Sequence, residues 1–322
     1  MNIELLPIRI IQLRNEVDRF GFSSLLALRF GFKNAPRSFA CYLHGWIWRR
    51  DLKIEDLGYY FTPRNTPIVV TKEHQKDVLT KHGFSRVIIG ALPFAYVKKS
   101  SVVRKIGTLL VMPPHSLQYL GYEVISAKML GYIDDISSEF SEICICLHAD
   151  DFSDKVLTSM LDSKKITYIL GAHSADANSL LRMRQIFDYF EYVTTTTFGS
   201  HIVYAAFCGC KVSLLTDYFL MTPLSAFTNE PQLKLIPGYL ERSIDILNNK
   251  QNLNDQFPWL FLKHPKLAIQ KVDWATKEIG VDNLLDKGQL MEFLGWTALS
   301  KMRAMSRIAF RRFSELFQKT PL

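Results

Sequence analysis

The sequence lacks any apolar run that approaches the ~20 residues needed to span a bilayer. Its N-terminus also lacks a signal-peptide pattern, because Glu4 and Arg9 interrupt the first apolar stretch. We therefore expect a cytoplasmic protein.

Several sequence motifs of common enzyme classes are absent. The chain contains no Gly-x-Gly-x-x-Gly, no P-loop, no Gly-x-Ser-x-Gly elbow and no His-Glu-x-x-His. Nothing in it therefore supports a dinucleotide-dependent dehydrogenase, an NTPase, a serine hydrolase or a zinc protease.

Cysteine is scarce, with five residues in a chain of 322. Cys144 and Cys146 lie in an apparent strand, and Cys208 and Cys210 flank a glycine at an apparent helix end. No second pair of Cys or His residues lies at metal-ligand spacing, so we predict no metal site. Reduced, buried thiols are the interpretation that we favour.

The composition is 48% hydrophobic and 22% charged, which is typical of a globular chain with one large or two medium domains. The formal net charge of +8 is compatible with an anionic substrate, an anionic lipid surface or nucleic acid. Aromatic residues do not alternate with the basic ones in a recognition motif, so we expect no nucleic-acid partner.

Much of the positive charge lies in segment 301–322, where six Lys and Arg residues accompany one Glu. Apolar residues recur there at helical spacing, at Met302, Met305, Ala309, Phe313 and Leu316. This pattern predicts a basic amphipathic helix. Its apolar stripe either packs on the body of the protein or contacts the inner face of the cytoplasmic membrane, and the two alternatives are compatible.

Predicted strands and helices alternate along most of the chain, which favours parallel sheets with helices on both faces. We predict an α/β fold of two doubly wound, Rossmann-like halves facing a cleft, with about four strands before residue 119 and four or more after residue 141. The predicted domains are 1–120 and 121–300, followed by the helix 301–322. Residues 3–32 are predicted to be mostly helical, 38–43 to form a strand, and 230–322 to be mostly helical.

The most informative segment, 192–215, is predicted to form a strand, a turn, a short helix and a second strand. Gly199 permits the turn, and Ser200 is a good N-cap for a helix over 201–207. The N–H groups at such a helix start suit a phosphate, so we predict a donor-phosphate site at Gly199, Ser200 and His201. An ordinary βαβ turn is the alternative.

Other candidate site residues follow predicted strands, at the edge where open α/β sheets bind their ligands. They are His44 and Gly45 after the first strand, His115 and Ser116 after two prolines, His173 before a helix, and Thr197 and Tyr204 near the phosphate turn. For each histidine the alternative is a structural side chain that hydrogen-bonds to nearby backbone.

Three motifs, Leu43-His-Gly-Trp46, Met112-Pro-Pro-His-Ser116 and Phe198-Gly-Ser-His201, follow in this order. This order of motifs resembles that of the GT-B glycosyltransferases of bacterial capsule and O-antigen synthesis. It is similar, more loosely, to that of the teichoic-acid glycerophosphotransferases. The resemblance covers about residues 38–215.

The resemblance implies a nucleotide-sugar donor, a glycan or lipid-linked acceptor, and neither cofactor nor metal. It makes His44 the general base and His115 a second catalytic candidate, and it assigns the donor phosphate to Gly199, Ser200 and His201. One departure concerns the helix after the turn, which lacks the acidic residue that binds ribose in many of these enzymes. The nucleobase of the donor is therefore not assigned. A sugar-nucleotide 2-epimerase and a non-catalytic carbohydrate- or nucleotide-binding protein are the alternatives.

Overall fold

The computed structural model describes residues 3–49, 51–114, 127–218, 236, 238, 242 and 249–318. The chain divides into two compact units, each assembled from separate segments. The six-stranded unit comprises residues 1–7, 98–173 and 181–276, and the three-stranded unit comprises residues 8–97, 174–180 and 277–322.

The described strands are β1 (Cys41–Tyr42), β2 (Ile68–Val70), β3 (Val87–Ile89), β4 (Lys105–Met112), β5 (Glu142–Leu147), β6 (Thr167–Leu170), β7 (Phe190–Thr195), β8 (Lys211–Leu215) and β9 (Phe261–Leu262). The described α-helices are α1 (Phe22–Phe30), α2 (Glu73–Lys81), α3 (Ala127–Ile136), α4 (Ala149–Phe152), α5 (Lys155–Ser163), α6 (Ser179–Tyr189), α7 (Ser200–Phe207), α8 (Lys250–Gln256), α9 (Val272–Ile279), α10 (Lys287–Leu294) and α11 (Ala298–Gln318). A 3₁₀ helix, Glu16–Gly21, precedes α1.

The six-stranded sheet has the spatial order β6-β5-β4-β7-β8-β9, and all of its described pairs are parallel. Numbered along the chain within this sheet, the order is 3-2-1-4-5-6, which is that of nucleotide-binding Rossmann folds. The predicted α/β class, its parallel sheets and its helical C-terminal region are therefore confirmed.

The three-stranded unit contains the parallel sheet β1-β2-β3. Among the described residues, four strands precede residue 119, as predicted, but the fourth, β4, pairs with β5 and β7 in the other sheet. Apolar residues of β2 pack with Leu79 of α2 and with Phe84 to form the core of this unit.

The core of the six-stranded unit depends on the alternation of side chains along its strands. Leu109 and Val111 of β4 and Ile145 and Leu147 of β5 project to one face, where they pack against α3 and α5. Cys144 and Cys146 alternate with the β5 residues and are also buried. All five cysteines are free, and burial raises the pKa of Cys146 to about 12, as expected for structural thiols.

The predicted N-terminal helix is wrong over its first half. Residues 9–11 instead form an isolated antiparallel bridge and backbone hydrogen bonds with residues 175–177. The side chain of Asn15 accepts a hydrogen bond from the N–H of Val17, so the first helical turn begins only at Glu16. The predicted strand 38–43 is likewise shorter, because only Cys41 and Tyr42 pair with β2.

The described part of the C-terminal region, 249–318, is mostly helical, as predicted. Among the residues that the structure describes, none of the helices is both long enough and apolar enough to cross a membrane.

Candidate functional site

The order of the six-stranded sheet reverses between β4 and β7, where chain connections run to opposite sides. In open parallel sheets, ligands bind outside the carboxyl ends of the strands at such a switch point. Here the two strands end level with one another, since Met112 is the register partner of Thr195. The segment that follows β7 contains the predicted phosphate turn, so that turn borders the switch point.

The turn between β7 and α7 differs in one detail from the prediction. Gly199 is the N-cap, with extended backbone angles, and Ser200 is the first residue of α7. Glycine is required here for space, because a Cβ atom at position 199 would lie 2.9 Å from Nδ1 of His201. The imidazole ring therefore packs directly against the turn.

His201 forms its side-chain hydrogen bond with β7. Its Nε2 lies 3.0 Å from the hydroxyl of Thr195, and that hydroxyl donates to the carbonyl of Thr197. Since a hydroxyl has one proton, Nε2 of His201 must be the donor to Thr195, and Nδ1 carries the lone pair. Burial lowers the pKa of His201 from 6.5 to about 4, so the ring is neutral at pH 7.

The first turn of α7 is also held by its side chains. Ser200 forms a side-chain hydrogen bond with Tyr204, one turn later, and burial raises the pKa of Tyr204 well above its usual value. The predicted residue Thr197 lies in the same turn, and its backbone N–H donates to Thr195. The structure thus brings together Thr197, Gly199, Ser200, His201 and Tyr204.

The chemistry of this turn depends on the backbone. The first N–H groups of a helix have no acceptor within the helix, and the positive end of the helix dipole adds to their field. The arrangement suits a phosphate bound by peptide groups.

His173 lies elsewhere on the same sheet. It follows β6, which is separated from β7 by β5 and β4, and its ring stacks against His148, which follows β5, with the ring centroids 6.2 Å apart. His173 is therefore grouped with His148 and not with the Gly199 turn. The other predicted residues, His115 and Ser116, lie outside the described residues.

In the three-stranded unit, His44 and Gly45 follow β1 at the carboxyl edge of its sheet. Nδ1 of His44 lies 3.3 Å from Oε2 of Glu16, and the imidazole side chain is 42% exposed. Glu16 also pairs with Arg19 at 3.1 Å. The hydrogen bond from His44 and the charge of Arg19 lower the pKa of Glu16 against the effect of burial, so its carboxylate is ionised at neutral pH.

This contact has a direct chemical consequence for His44. A carboxylate that accepts from Nδ1 fixes the neutral tautomer, with its lone pair on Nε2 at the opposite side of the ring. It also stabilises the imidazolium that forms when Nε2 takes up a proton. His44 and Glu16 therefore have the geometry of an oriented general base.

The backbone beside this pair is strained. Phe20 has φ +55°, in the left-handed region, and its ring centroid lies 5.9 Å from that of His44. Such a conformation costs about 1–2 kcal/mol for a residue with a Cβ. It is maintained by the hydrogen bond from the N–H of Phe20 to the carbonyl of Ser174.

A second carboxylate lies at the same edge of the three-stranded sheet. Glu278, near the end of α9, accepts from the indole N–H of Trp46 at 2.6 Å and from the ammonium group of Lys72. Sequence reasoning missed both Glu16 and Glu278, because they lie far along the chain from the residues that they contact. No local motif could have indicated either one.

Within the part of the chain that the structure describes, no group of three or more His, Cys, Asp or Glu side chains is arranged to hold a metal ion.

Neither a family model nor a curated protein matches this chain. Among solved structures, the crystal structure of TarM matches with a TM-score of 0.33 and 11% sequence identity, over 82% of this chain and 51% of that one. This chain thus spans about half of the matched protein, and a likeness this weak assigns neither a fold nor an activity.

Proposed function

We propose that the protein is a glycosyltransferase that moves a sugar from a nucleotide-sugar donor to a glycan or lipid-linked acceptor in the synthesis of a surface polysaccharide. The observation that carries the proposal is the six-stranded parallel sheet in nucleotide-binding order, with the Gly199 turn at its switch point. His44 of the three-stranded unit, which Glu16 orients, would supply the general base that the transfer needs.

The donor diphosphate binds at the first turn of α7. Backbone N–H groups supply the hydrogen bonds, and the neutral His201 holds the turn in place by its bond to Thr195. As the sugar leaves, charge grows on the diphosphate, and a fixed helix start stabilises that charge without reorganising. In this role His201 is a positioning residue.

His44 is the general base in this proposal. Its Nε2 accepts the proton of the acceptor hydroxyl while the oxygen attacks the anomeric carbon of the sugar, and the bond from that carbon to the diphosphate breaks. Glu16 holds the ring through Nδ1 and offsets the charge of the imidazolium. Proton transfer of this kind contributes roughly 10²–10⁴ to the rate.

A lipid-linked acceptor would require contact with a membrane surface, and α11 has suitable properties. Its residue Ala304 is buried against the unit, whereas Met302 and Met305 are 63% and 55% exposed. Lys301 and Arg303 lie exposed on the same helix. Exposed apolar side chains beside cations favour the interface of an anionic bilayer.

A thermal-shift panel tests the donor site. The full chain is heated with UDP, GDP, CDP, CMP, dTDP and their sugars, since a ligand that binds only the folded state raises the melting temperature. We expect one nucleotide to raise it by a few degrees at about 100 times its Kd. No shift with any of them at millimolar concentration would overturn the proposed donor site.

The same nucleotide sugars distinguish the alternative functions when they are incubated with the protein and their products are identified. A nucleotide sugar that is converted to an epimer without an acceptor would indicate a sugar-nucleotide 2-epimerase. Binding with neither transfer nor conversion would indicate a non-catalytic carbohydrate- or nucleotide-binding protein. Release of nucleotide together with transfer or hydrolysis of the sugar would support the transferase.

A further inference from the structure

The three-stranded unit contains a cavity of about 210 Å³ at the amino-terminal edge of its sheet. Residues 37–41, which lead into β1, form one wall, and residues 65–67, which lead into β2, form another. Ala304, Arg307 and Ile308 of α11 complete the lining. This edge is opposite to the one where His44 follows β1, so the cavity is separate from the proposed base.

Three arginines from different segments line the cavity, namely Arg14, Arg37 and Arg307. Arg14 is paired with the buried carboxylate of Asp18 at 3.3 Å. Among the described residues, Arg37 and Arg307 have no carboxylate partner within ion-pair distance. The cavity therefore carries an excess of positive charge.

A further cation, Arg86, lies near Arg307 but outside the lining of the cavity. Desolvation by partial burial lowers the pKa of Arg307, and the nearby charge of Arg86 lowers it further. A bound anion would stabilise the charged form of Arg307 against both effects. Arginine is also the side chain best suited to a phosphate, because its planar group donates two parallel hydrogen bonds.

The rest of the lining is suited to the group that carries the anion. Asn65 and Thr66 supply an amide and a hydroxyl, and Phe39, Cys41 and Ile308 supply apolar surface. Arg37 stacks over the ring of Phe39, with its guanidinium carbon 5.6 Å from the ring centroid, which directs the charge along this wall. The cavity thus combines a cationic end with a mixed polar and apolar wall.

We propose that this cavity is a binding site for a phosphate group, held by Arg37 and Arg307 and separate from the donor site of the six-stranded unit. The cavity lies against the face of α11 that carries Ala304, Arg307 and Ile308, and not against the face that exposes Met302 and Met305. A free phosphate compound and the headgroup of a phospholipid share this chemistry.

Calorimetric titration of the full chain with inorganic pyrophosphate at low ionic strength tests the site. We expect Arg307→Gln to weaken binding at least about tenfold and Arg37→Gln with Arg307→Gln to abolish it. Arg303→Gln is the matched control, because Arg303 lies one turn earlier on α11, is 58% exposed and pairs with Glu292 outside the cavity.

The donor turn is unchanged in all these variants, so any binding there is common to them and only the difference between Arg303→Gln and Arg307→Gln reports on the cavity. Circular dichroism and melting temperature establish that each variant is folded. Equal affinity of the two single variants would overturn the proposal, as would the absence of wild-type binding at about 10 mM pyrophosphate.

A second titration identifies the source of the phosphate. A short-chain phosphatidic acid, used as a monomer, is compared with inorganic phosphate in the wild type and in Arg307→Gln. Affinity for the lipid that exceeds that for phosphate by about tenfold or more and depends on Arg307 supports a lipid headgroup. Equal affinities that both depend on Arg307 support a free phosphate compound.

Discussion

Oε2 of Glu16 lies 3.3 Å from Nδ1 of His44, although 27 residues separate the two in the chain. The turn from Glu16 to Gly21 brings the carboxylate back to the end of β1, where the histidine emerges. This contact orients the imidazole of His44, and the first prediction concerns its strength.

Glu16→Gln is expected to lower the free energy of unfolding by less than about 1 kcal/mol at pH 7, since both side chains are partly exposed. The pKa of Glu16 is lowered in the folded protein, so its contribution is full above the ordinary value of 4.5 and is lost as the pH falls through the lowered value. The difference between variant and wild type should therefore shrink from pH 5 towards pH 3 in urea unfolding.

The exposed Glu73, paired with Lys76 at 3.7 Å, provides the control. Glu73→Gln should stay within about 0.5 kcal/mol of the wild type. A Glu16→Gln difference that is constant across this pH range would contradict the contact.

Gly199→Ala is expected to destabilise the protein by about 1–3 kcal/mol, because the new Cβ would meet the His201 ring. In a His201→Ala background the ring is absent, so the same change should cost less than about 1 kcal/mol. A double-mutant cycle by chemical denaturation measures this coupling.

Gly131→Ala is the matched control. Gly131 is exposed in α3, and a Cβ there would meet no atom within 4 Å. Alanine should stabilise the helix by about 0.5–1 kcal/mol. Equal costs of Gly199→Ala in the two backgrounds would show that the ring is not the reason for the glycine.

The lowered pKa of His201 predicts that the stability of the protein depends on pH. Its pKa is lowered from 6.5 to about 4, so the unfolded chain binds the extra proton first and stability is lost as the pH falls from 6.5 to 4. The loss should be on the order of 2–3 kcal/mol, and it should be absent from His201→Phe. Parallel unfolding curves at pH 7, 5.5 and 4 measure it; identical slopes for the two proteins would contradict a buried neutral ring.

The exposed face of α11 predicts binding to vesicles of phosphatidylcholine that contain phosphatidylglycerol. Met302→Gln with Met305→Gln should reduce the bound fraction at least about tenfold in flotation assays, since burial of each methionine is worth about 1.5–3 kcal/mol. Leu267→Gln is the control, because Leu267 is equally exposed but lies in the six-stranded unit. Equal vesicle binding by the double methionine variant and by Leu267→Gln would contradict a membrane contact through α11.

Much of the fold could be predicted from periodicity and breaker residues. The two strands of segment 192–215 lie at 190–195 and 211–215 on either side of α7, in the predicted order, and Gly209, with φ +84°, follows the end of α7 as expected. Residues 3–15 could not be predicted correctly. Their apolar pattern resembles that of a helix, but long-range hydrogen bonds to 175–177 decide their conformation.

The sequence likewise indicated some residues of the candidate site and not others. Gly199 and His44 could be found because each follows a strand in a short motif. The role of His201 could not, since its neutral state depends on burial and on the bond to Thr195. The assignment of β4 to the larger sheet also depends on pairing partners that follow it in the chain.

The most direct test of a transferase with His44 as its base is the rate of nucleotide release from the donor that the thermal-shift panel selects. His44→Ala should lower kcat by roughly 10²–10⁴ and leave donor affinity nearly unchanged, because the base acts in the transition state. Nucleotide release by His44→Ala at the wild-type rate would contradict the account.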